Sequence, residues 1–542
     1  MSALWQLKSG YQVAYQRLDG RKLNGRGSGV QLYEAKGEYA MGRHRRETPA
    51  QSRALARKRL RRRRAGIASA ITLSLLALAG GYFYADAHDI LPDALPSFVT
   101  LAPLPPEPNP FPTIPGTLTV PALTSFAQQL PSSAPIPSSN TVQQLVNTLV
   151  AQPAMGPHVG VLIIDELTGE VLGEANRYAQ FTPASTQKIM TGMAAFLTLD
   201  PQSRLATVVR QDGSRLILVG GGDMLLAPGE GFPDQVDDHA GMLDLARQAA
   251  AQVKLSGRTA VTLQVDDTLF GDPRIAPAVP AGEQAVFVAP VASVAVNQAR
   301  VDDTKSDMAR RHLDPAMAAA RVFEDALAEA GIEVEGQVTR MTGTSDTVPE
   351  IARVESAPIG ELTEWAMQRS DNTITEVLGR LVAIELGFPP TPQGAIDAVK
   401  LAVERAGVNL SGASLVDLSG LGRGSLLTPQ NLVDLVATSV RGDPRLRELA
   451  IGLPVAGLSG TLWDRFPNGT FAIGTTRAKT GSLPGVTALA GTVVTAQDRM
   501  LLFAIVGDQT PGPGQWGARQ AIDNFVEQLA AYGSTTPTIT VP

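Results

Sequence analysis

The chain has 542 residues, an ordinary apolar share of 44% and a net charge of −6, enough length for two or three domains with substantial cores. Its charge is unevenly placed: residues 1–64 carry 17 Lys and Arg against four Asp and Glu, a net of +13 that leaves −19 for the remainder and argues against nucleic acid as a partner. There is no cysteine, which excludes disulfides and a thiol nucleophile, and the five histidines show no metal-ligand spacing, so neither metal nor other cofactor is expected.

Residues 1–64 read as a basic, disordered cytoplasmic tail ending in Arg61-Arg62-Arg63-Arg64. The next 21 residues, 65–85, carry no charge and match the thickness of a bilayer core at the helical rise. Positive charge ahead of this segment orients the N-terminus to the cytoplasm, which predicts a single-pass membrane protein with an extracytoplasmic catalytic part. Ala85-Asp86-Ala87 leaves open cleavage and secretion, and Met41 is an alternative start. Residues 86–140 are proline-rich, as in Leu104-Pro105-Pro106-Glu107-Pro108, and read as an extended extracytoplasmic linker.

Folded structure is predicted from Thr141, with apolar residues at Val142, Leu145, Val146 and Leu149 of a helix. The runs 158–165 and 170–173, separated by Leu167-Thr168-Gly169, predict a β-hairpin. Phe181-Thr182-Pro183-Ala184 then leads into a helix over 185–197. From 201 to 354 the pattern becomes strand-like, at 205–209, 215–219, 260–265 and 285–296, with one helix over 315–330 and a return to strand at 332–339. This reads as a β-rich inserted domain, 201–354, dividing a main domain into 141–200 and 355–535. Helices follow at 359–367, 372–386 and 393–406, strands around Lys479, 486–495 and 500–506, and a closing helix at 517–532.

After Arg64 only five lysines remain: Lys188, Lys254, Lys305, Lys400 and Lys479. Two of them fall in Ser185-Thr186-Gln187-Lys188 and Lys479-Thr480-Gly481, with Ser370-Asp371-Asn372 between. SxxK, SxN and KTG in that order mark serine enzymes that acylate on D-alanyl peptides or β-lactams. Each pattern is common by itself; the ordered conjunction is not. On a helix Lys188 shares a face with Ser185 and can take its proton, provided that burial or a second cation such as Lys479 lowers its pKa. Ser370 can relay a proton to the leaving amine, and Asn372 can hold the substrate backbone. Asp371 reads as a capping or solvated residue. Lys479, Thr480 and Ser482 offer a charge and hydroxyls to a terminal carboxylate, and Gly481 permits close approach of the substrate backbone. The backbone N–H groups of Ser185 and Ser482 are the natural oxyanion donors.

At these motifs the chain resembles the penicillin-binding D-alanyl-D-alanine carboxypeptidases, and more closely the low-molecular-mass class C group, which includes endopeptidases. The resemblance extends through Gly160 to Asp165 with Thr168-Gly169, Pro183-Ala184-Ser185, Gly220-Gly221-Gly222-Asp223, Val265-Asp266-Asp267 and Ala289 to Ser293. It continues in Leu453 to Gly457, Gly460-Thr461-Leu462 and Lys479 to Val486, so that it spans about 142–533. It implies an α+β, β-lactamase/DD-peptidase-like domain, an antiparallel sheet flanked by helices, with a further domain inserted between SxxK and SxN. It also implies D-Ala-D-Ala carboxypeptidase action on peptidoglycan stem peptides through an acyl-enzyme on Ser185, with β-lactams as covalent inhibitors. The segment Leu418 to Ser425 departs from the group, which carries another serine and an asparagine after the Gly-Leu pair. A β-lactamase and a non-catalytic penicillin sensor are the rival readings; nothing near Ser370 supplies the glutamate-based deacylation of class A β-lactamases.

Overall fold

The computed structural model describes residues 130–534 except 285, 302–308, 342–346 and 513–514. The basic tail, the apolar segment 65–85 and most of the proline-rich stretch therefore lie outside the described residues. Among the described residues no helix is long and apolar enough to cross a membrane.

Helix α1 (Ser139–Val150) buries Val142, Val146 and Leu149, the stripe that its helical spacing defines. It lies against a hairpin of β1 (Val159–Asp165) and β2 (Val171–Ala175). A side-chain carbon at Gly173 would sit 3.0 Å from both Val142 and Val146, so this strand takes glycine to let the helix approach. Next comes α2 (Lys188–Thr198), buried without a break from Lys188 to Phe196. Because every face of this helix meets protein, it carries almost no polar side chain besides its lysine.

The segment that follows holds β3 (Arg204–Asp212), β4 (Arg215–Gly220), β5 (Asp223–Leu226), α3 (Met242–Leu255), β6 (Ala260–Asp266) and β7 (Val294–Val296). After these come α4 (Pro315–Glu329), β8 (Glu333–Val334), β9 (Thr339–Arg340) and β10 (Glu350–Pro358). Its six-stranded sheet is mixed, in the order β10-β3-β4-β6-β8 with β9 also paired to β6. The strand expected over 285–296 shrinks to Val294–Val296. Pro290 interrupts that run and has no N–H to give a ladder, and Ala289, Val291 and Ala292 are buried as irregular chain instead. Helix α3 was not anticipated: three of the residues it buries, Ala246, Ala249 and Ala250, are alanines, which give little hydropathy contrast.

Strand β10 runs directly into α5 (Ile359–Arg369), followed by α6 (Asn372–Glu385), α7 (Pro392–Arg405), α8 (Pro429–Arg441) and α9 (Pro444–Ile451). Helix α8 was also unanticipated, although Thr428 and Asn431 form a capping box with proline at its start. The chain then returns through β11 (Thr476–Leu483), β12 (Val486–Val494) and β13 (Met500–Gly507) to α10 (Trp516–Ala530).

These last three strands join the opening hairpin in one antiparallel five-stranded sheet, β11-β12-β13-β1-β2. Alternation along β1 sorts its side chains: Leu162 and Ile164 enter the core that contains α2 and α8, whereas Val159, Val161 and Ile163 enter the core beneath α1 and α10. The fold is α+β, a sheet with helices on both faces, and β11 forms one edge.

Candidate active site

Ser185 sits in a 3₁₀ turn, Ala184–Gln187, immediately ahead of α2 rather than inside the helix. Ala184 is held at φ +47°, a left-handed conformation that costs an L-residue roughly 1–3 kcal/mol and that surrounding contacts must impose. Two glycines make those contacts possible. A side-chain carbon at Gly420 would lie 2.1 Å from the carbonyl oxygen of Ala184, and one at Gly481 would lie 2.6 Å from that of Pro183.

One turn on, Lys188 is fully buried and its Nζ has three neighbours: Ser185 Oγ at 2.8 Å, Asn372 Oδ1 at 2.7 Å and the Ser419 carbonyl at 2.6 Å. The amide and the carbonyl oxygens can only accept. A neutral amine must therefore donate its two hydrogens to them, which leaves its lone pair facing the serine hydroxyl. Burial lowers the Lys188 pKa to about 8, against the upward pull of Asp417, Asp371 and Glu376.

Ser370 caps α5 in a left-handed conformation, φ +56°. Its hydroxyl accepts from Lys479 Nζ at 2.9 Å. Asp371 is the N-cap of α6, accepting from Ile374 N at 2.8 Å, and also takes the Gln298 amide at 2.6 Å. Asn372 uses both ends of its side chain on protein, since Nδ2 donates to the Phe287 carbonyl at 2.9 Å. In this structure it therefore holds Lys188 in place, whereas the sequence suggested a group free for substrate. Lys479 is fully buried, and burial together with the charge of Lys188 pulls its pKa well down. Of the two causes the sequence left open for Lys188, burial or a second cation, burial acts here, and the repulsion falls on Lys479.

Thr480 and Ser482 project from β11 to the same side, as residues two apart on a strand must. They share a cavity of about 730 Å³ with Ser185, Ser370 and Gly481. Thr480 Oγ1 pairs with Thr461 Oγ1 at 2.8 Å, and Ser482 Oγ donates to Gln515 Oε1 at 2.5 Å. The three motifs, up to 294 residues apart in the chain, thus converge on one cleft beside a buried amine and a serine hydroxyl.

The model of the D-Ala-D-Ala carboxypeptidase 3 (S13) family matches residues 142–306 and 301–529. The chain belongs to this family. It is similar to the carboxypeptidase DacB of Mycolicibacterium smegmatis, 36% identical over 439 residues that cover 79% of this chain and 90% of the relative. Carboxypeptidase Rv3627c of Mycobacterium tuberculosis is 33% identical over 413 residues, covering 74% and 87%. Among solved structures, penicillin binding protein 4 of Haemophilus influenzae superposes with a TM-score of 0.62 at 21% identity, over 71% of this chain and 99% of that one, which supports the fold.

This S13 peptidase also has site residues that motif reading missed. Glu376, one turn after Asn372 on α6, is buried, and its Oε1 accepts from Leu418 N at 3.0 Å and Ser419 N at 2.9 Å. Asp417 accepts from Gly420 N at 3.0 Å, Gly422 N at 2.7 Å and Ser419 Oγ at 2.8 Å. The two carboxylates shape the loop whose Ser419 carbonyl grips Lys188. Glu376 shares a helix face with Asn372, but it acts through the backbone amides of Leu418 and Ser419, which no residue motif marks.

Proposed function

We propose that this S13 peptidase removes the terminal D-alanine of peptidoglycan stem peptides through an acyl-enzyme on Ser185. The observation that carries this reading is the Lys188 amine, with two fixed acceptors and, among the described residues, the Ser185 hydroxyl as its one further hydrogen-bond partner. Neutral Lys188 takes the hydroxyl proton as Ser185 attacks the penultimate D-alanine carbonyl. The backbone N–H groups of Ser185 and Ser482 receive the developing oxyanion. The Ser370 hydroxyl passes its proton to the departing amine and takes one from Lys479, which donates to it. Water then hydrolyses the ester, its proton returning to Lys479 through Ser370 as Lys188 gives its own back to Ser185. Gly481 lets the substrate backbone pair along the open edge of β11. β-Lactams, which carry a carboxylate beside a strained amide, acylate the same serine; the Haemophilus protein has been solved with one bound.

Incubation with a fluorescent penicillin and with a peptide ending in D-alanyl-D-alanine, for wild type and Ser185→Ala, tests the assignment. Wild type should be labelled and release D-alanine, and Ser185→Ala should do neither. Release that persists in Ser185→Ala refutes the nucleophile, and labelling without any release makes the protein a sensor. The cavity's extension past Ser482 to Trp463 and Trp516 favours endopeptidase action as well, because a single D-alanine fills little of it.

Charge and hydropathy of residues 1–85 support an extracytoplasmic catalytic part, tethered by 65–85 and spaced from the membrane by 86–140. The length of the apolar segment favours the tether, and Ala85-Asp86-Ala87 supports the alternative of an export segment cleaved at that small-residue site. Segment 201–354 is read as an inserted domain between the two parts of the peptidase domain. The mass of the mature N-terminus in cells decides between tether and cleavage.

A further inference from the structure

We propose that Arg519 is a substrate-binding residue of this enzyme, and that its guanidinium, with the hydroxyls of Thr480 and Ser482, receives the free C-terminal carboxylate of the leaving D-alanine. The inference rests on the carboxypeptidase reading above.

A peptidase that cleaves one residue from a C-terminus needs a cation for the terminal carboxylate. Lys479 is badly placed for this role. It is fully buried, its amine is engaged by Ser370 Oγ at 2.9 Å and the Thr480 carbonyl at 3.2 Å, and it does not line the cavity. Burial and the neighbouring Lys188 charge also weaken its hold on a proton.

Arg519 differs on each count. It lines the same cavity as Ser185, Ser370, Thr480 and Ser482, and Nη2 donates to Ser482 Oγ at 2.8 Å. Its neighbour Arg465 is committed to Asp523, with Nε at 3.0 and 2.9 Å from the two carboxylate oxygens. Among the described residues no carboxylate lies within ion-pair distance of Arg519, though Asp464, Asp523 and Arg465 act on it at longer range. Nor does its position stabilise the fold in an obvious way. It stands in the first turn of α10, where the helix dipole disfavours a positive charge. A guanidinium stays charged despite partial burial, and its planar fork matches a carboxylate.

The test compares D-alanine release from a peptide ending in D-alanyl-D-alanine with D-alaninamide release from its C-terminally amidated twin, using the full chain as wild type, Arg519→Ala and Arg519→Lys. Wild type should prefer the free acid. Arg519→Ala should lose about 10- to 100-fold in kcat/KM on the acid, mainly through KM, and several-fold less on the amide, so that the preference collapses; Arg519→Lys should retain part of it. An unchanged unfolding midpoint in urea reports an intact fold. An acid-over-amide preference that survives Arg519→Ala overturns the proposal, as does an equal loss on both peptides or a wild type without preference. A wild type that cleaves neither peptide overturns the carboxypeptidase reading, and the proposal with it.

Discussion

Lys188 has to be neutral at a pH where lysine ordinarily carries a proton. With its pKa lowered to about 8 by burial, the base form is a minority of about a tenth at pH 7 and the majority above pH 8. The sign follows: protonation removes the lone pair that faces Ser185, so acylation weakens as pH falls. The second-order rate of penicillin acylation should rise about tenfold per pH unit below 8 and level off above it. A rate that stays flat from pH 6 to 9 contradicts Lys188 as the base. Lys188→Arg, whose side chain cannot give up its proton, should lower acylation by about 10² to 10⁴.

The same amine depends on two elements that approach each other, α6 and the loop 417–422. Asn372 reaches Lys188 directly, and Glu376, on the same face of α6, reaches it through the backbone of Leu418 and Ser419. Burial and the charge of Asp417 push the Glu376 pKa up to about 7, so above that pH it adds a negative charge that favours the ammonium form of Lys188. Glu376→Gln keeps an oxygen for both amides and deletes that charge. The acid limb of the acylation profile should therefore move to lower pH with the loop intact; an unmoved profile would show that Glu376 acts on the backbone alone. None of this network was legible in the sequence. The i to i+3 spacing of Ser185 and Lys188 is local and reads directly, whereas Glu376, Asp417 and Ser419 act through amides and carbonyls, which no side-chain pattern announces. Arg519 was hidden in the same way, as an unremarkable cation on a correctly anticipated last helix.

At the scale of the molecule, the peptidase sheet is closed by strands from both ends of the described chain, β1 pairing with β13 from Val159–Gly507 to Asp165–Leu501. Their apolar runs made each of these strands legible, but their partnership follows from topology, to which a local run is blind. At the end of β1 the chain adds a buried charge pair: Asp165 is fully buried and receives Arg499 Nη2 at 2.6 Å and Thr168 N at 2.8 Å. Arg499 also donates to the carbonyls of Ser132 at 3.1 Å and Ala134 at 3.2 Å, so one guanidinium joins the segment before α1, the opening hairpin and the entry to β13. Burial works against the charged carboxylate, yet hydrogen bonds from Arg499 and Thr168 hold the Asp165 pKa below its ordinary value. A carboxylate depressed in the folded state contributes stability above its unfolded pKa and loses it as pH falls toward the folded one. Asp165→Ala leaves the arginine buried without its counter-charge and should cost about 3–5 kcal/mol, read as a lowered midpoint in urea at pH 7. The penalty should shrink when the titration is repeated at a pH below the folded pKa, because wild type has then lost the carboxylate charge too. A penalty that does not change with pH would assign Asp165 to packing alone.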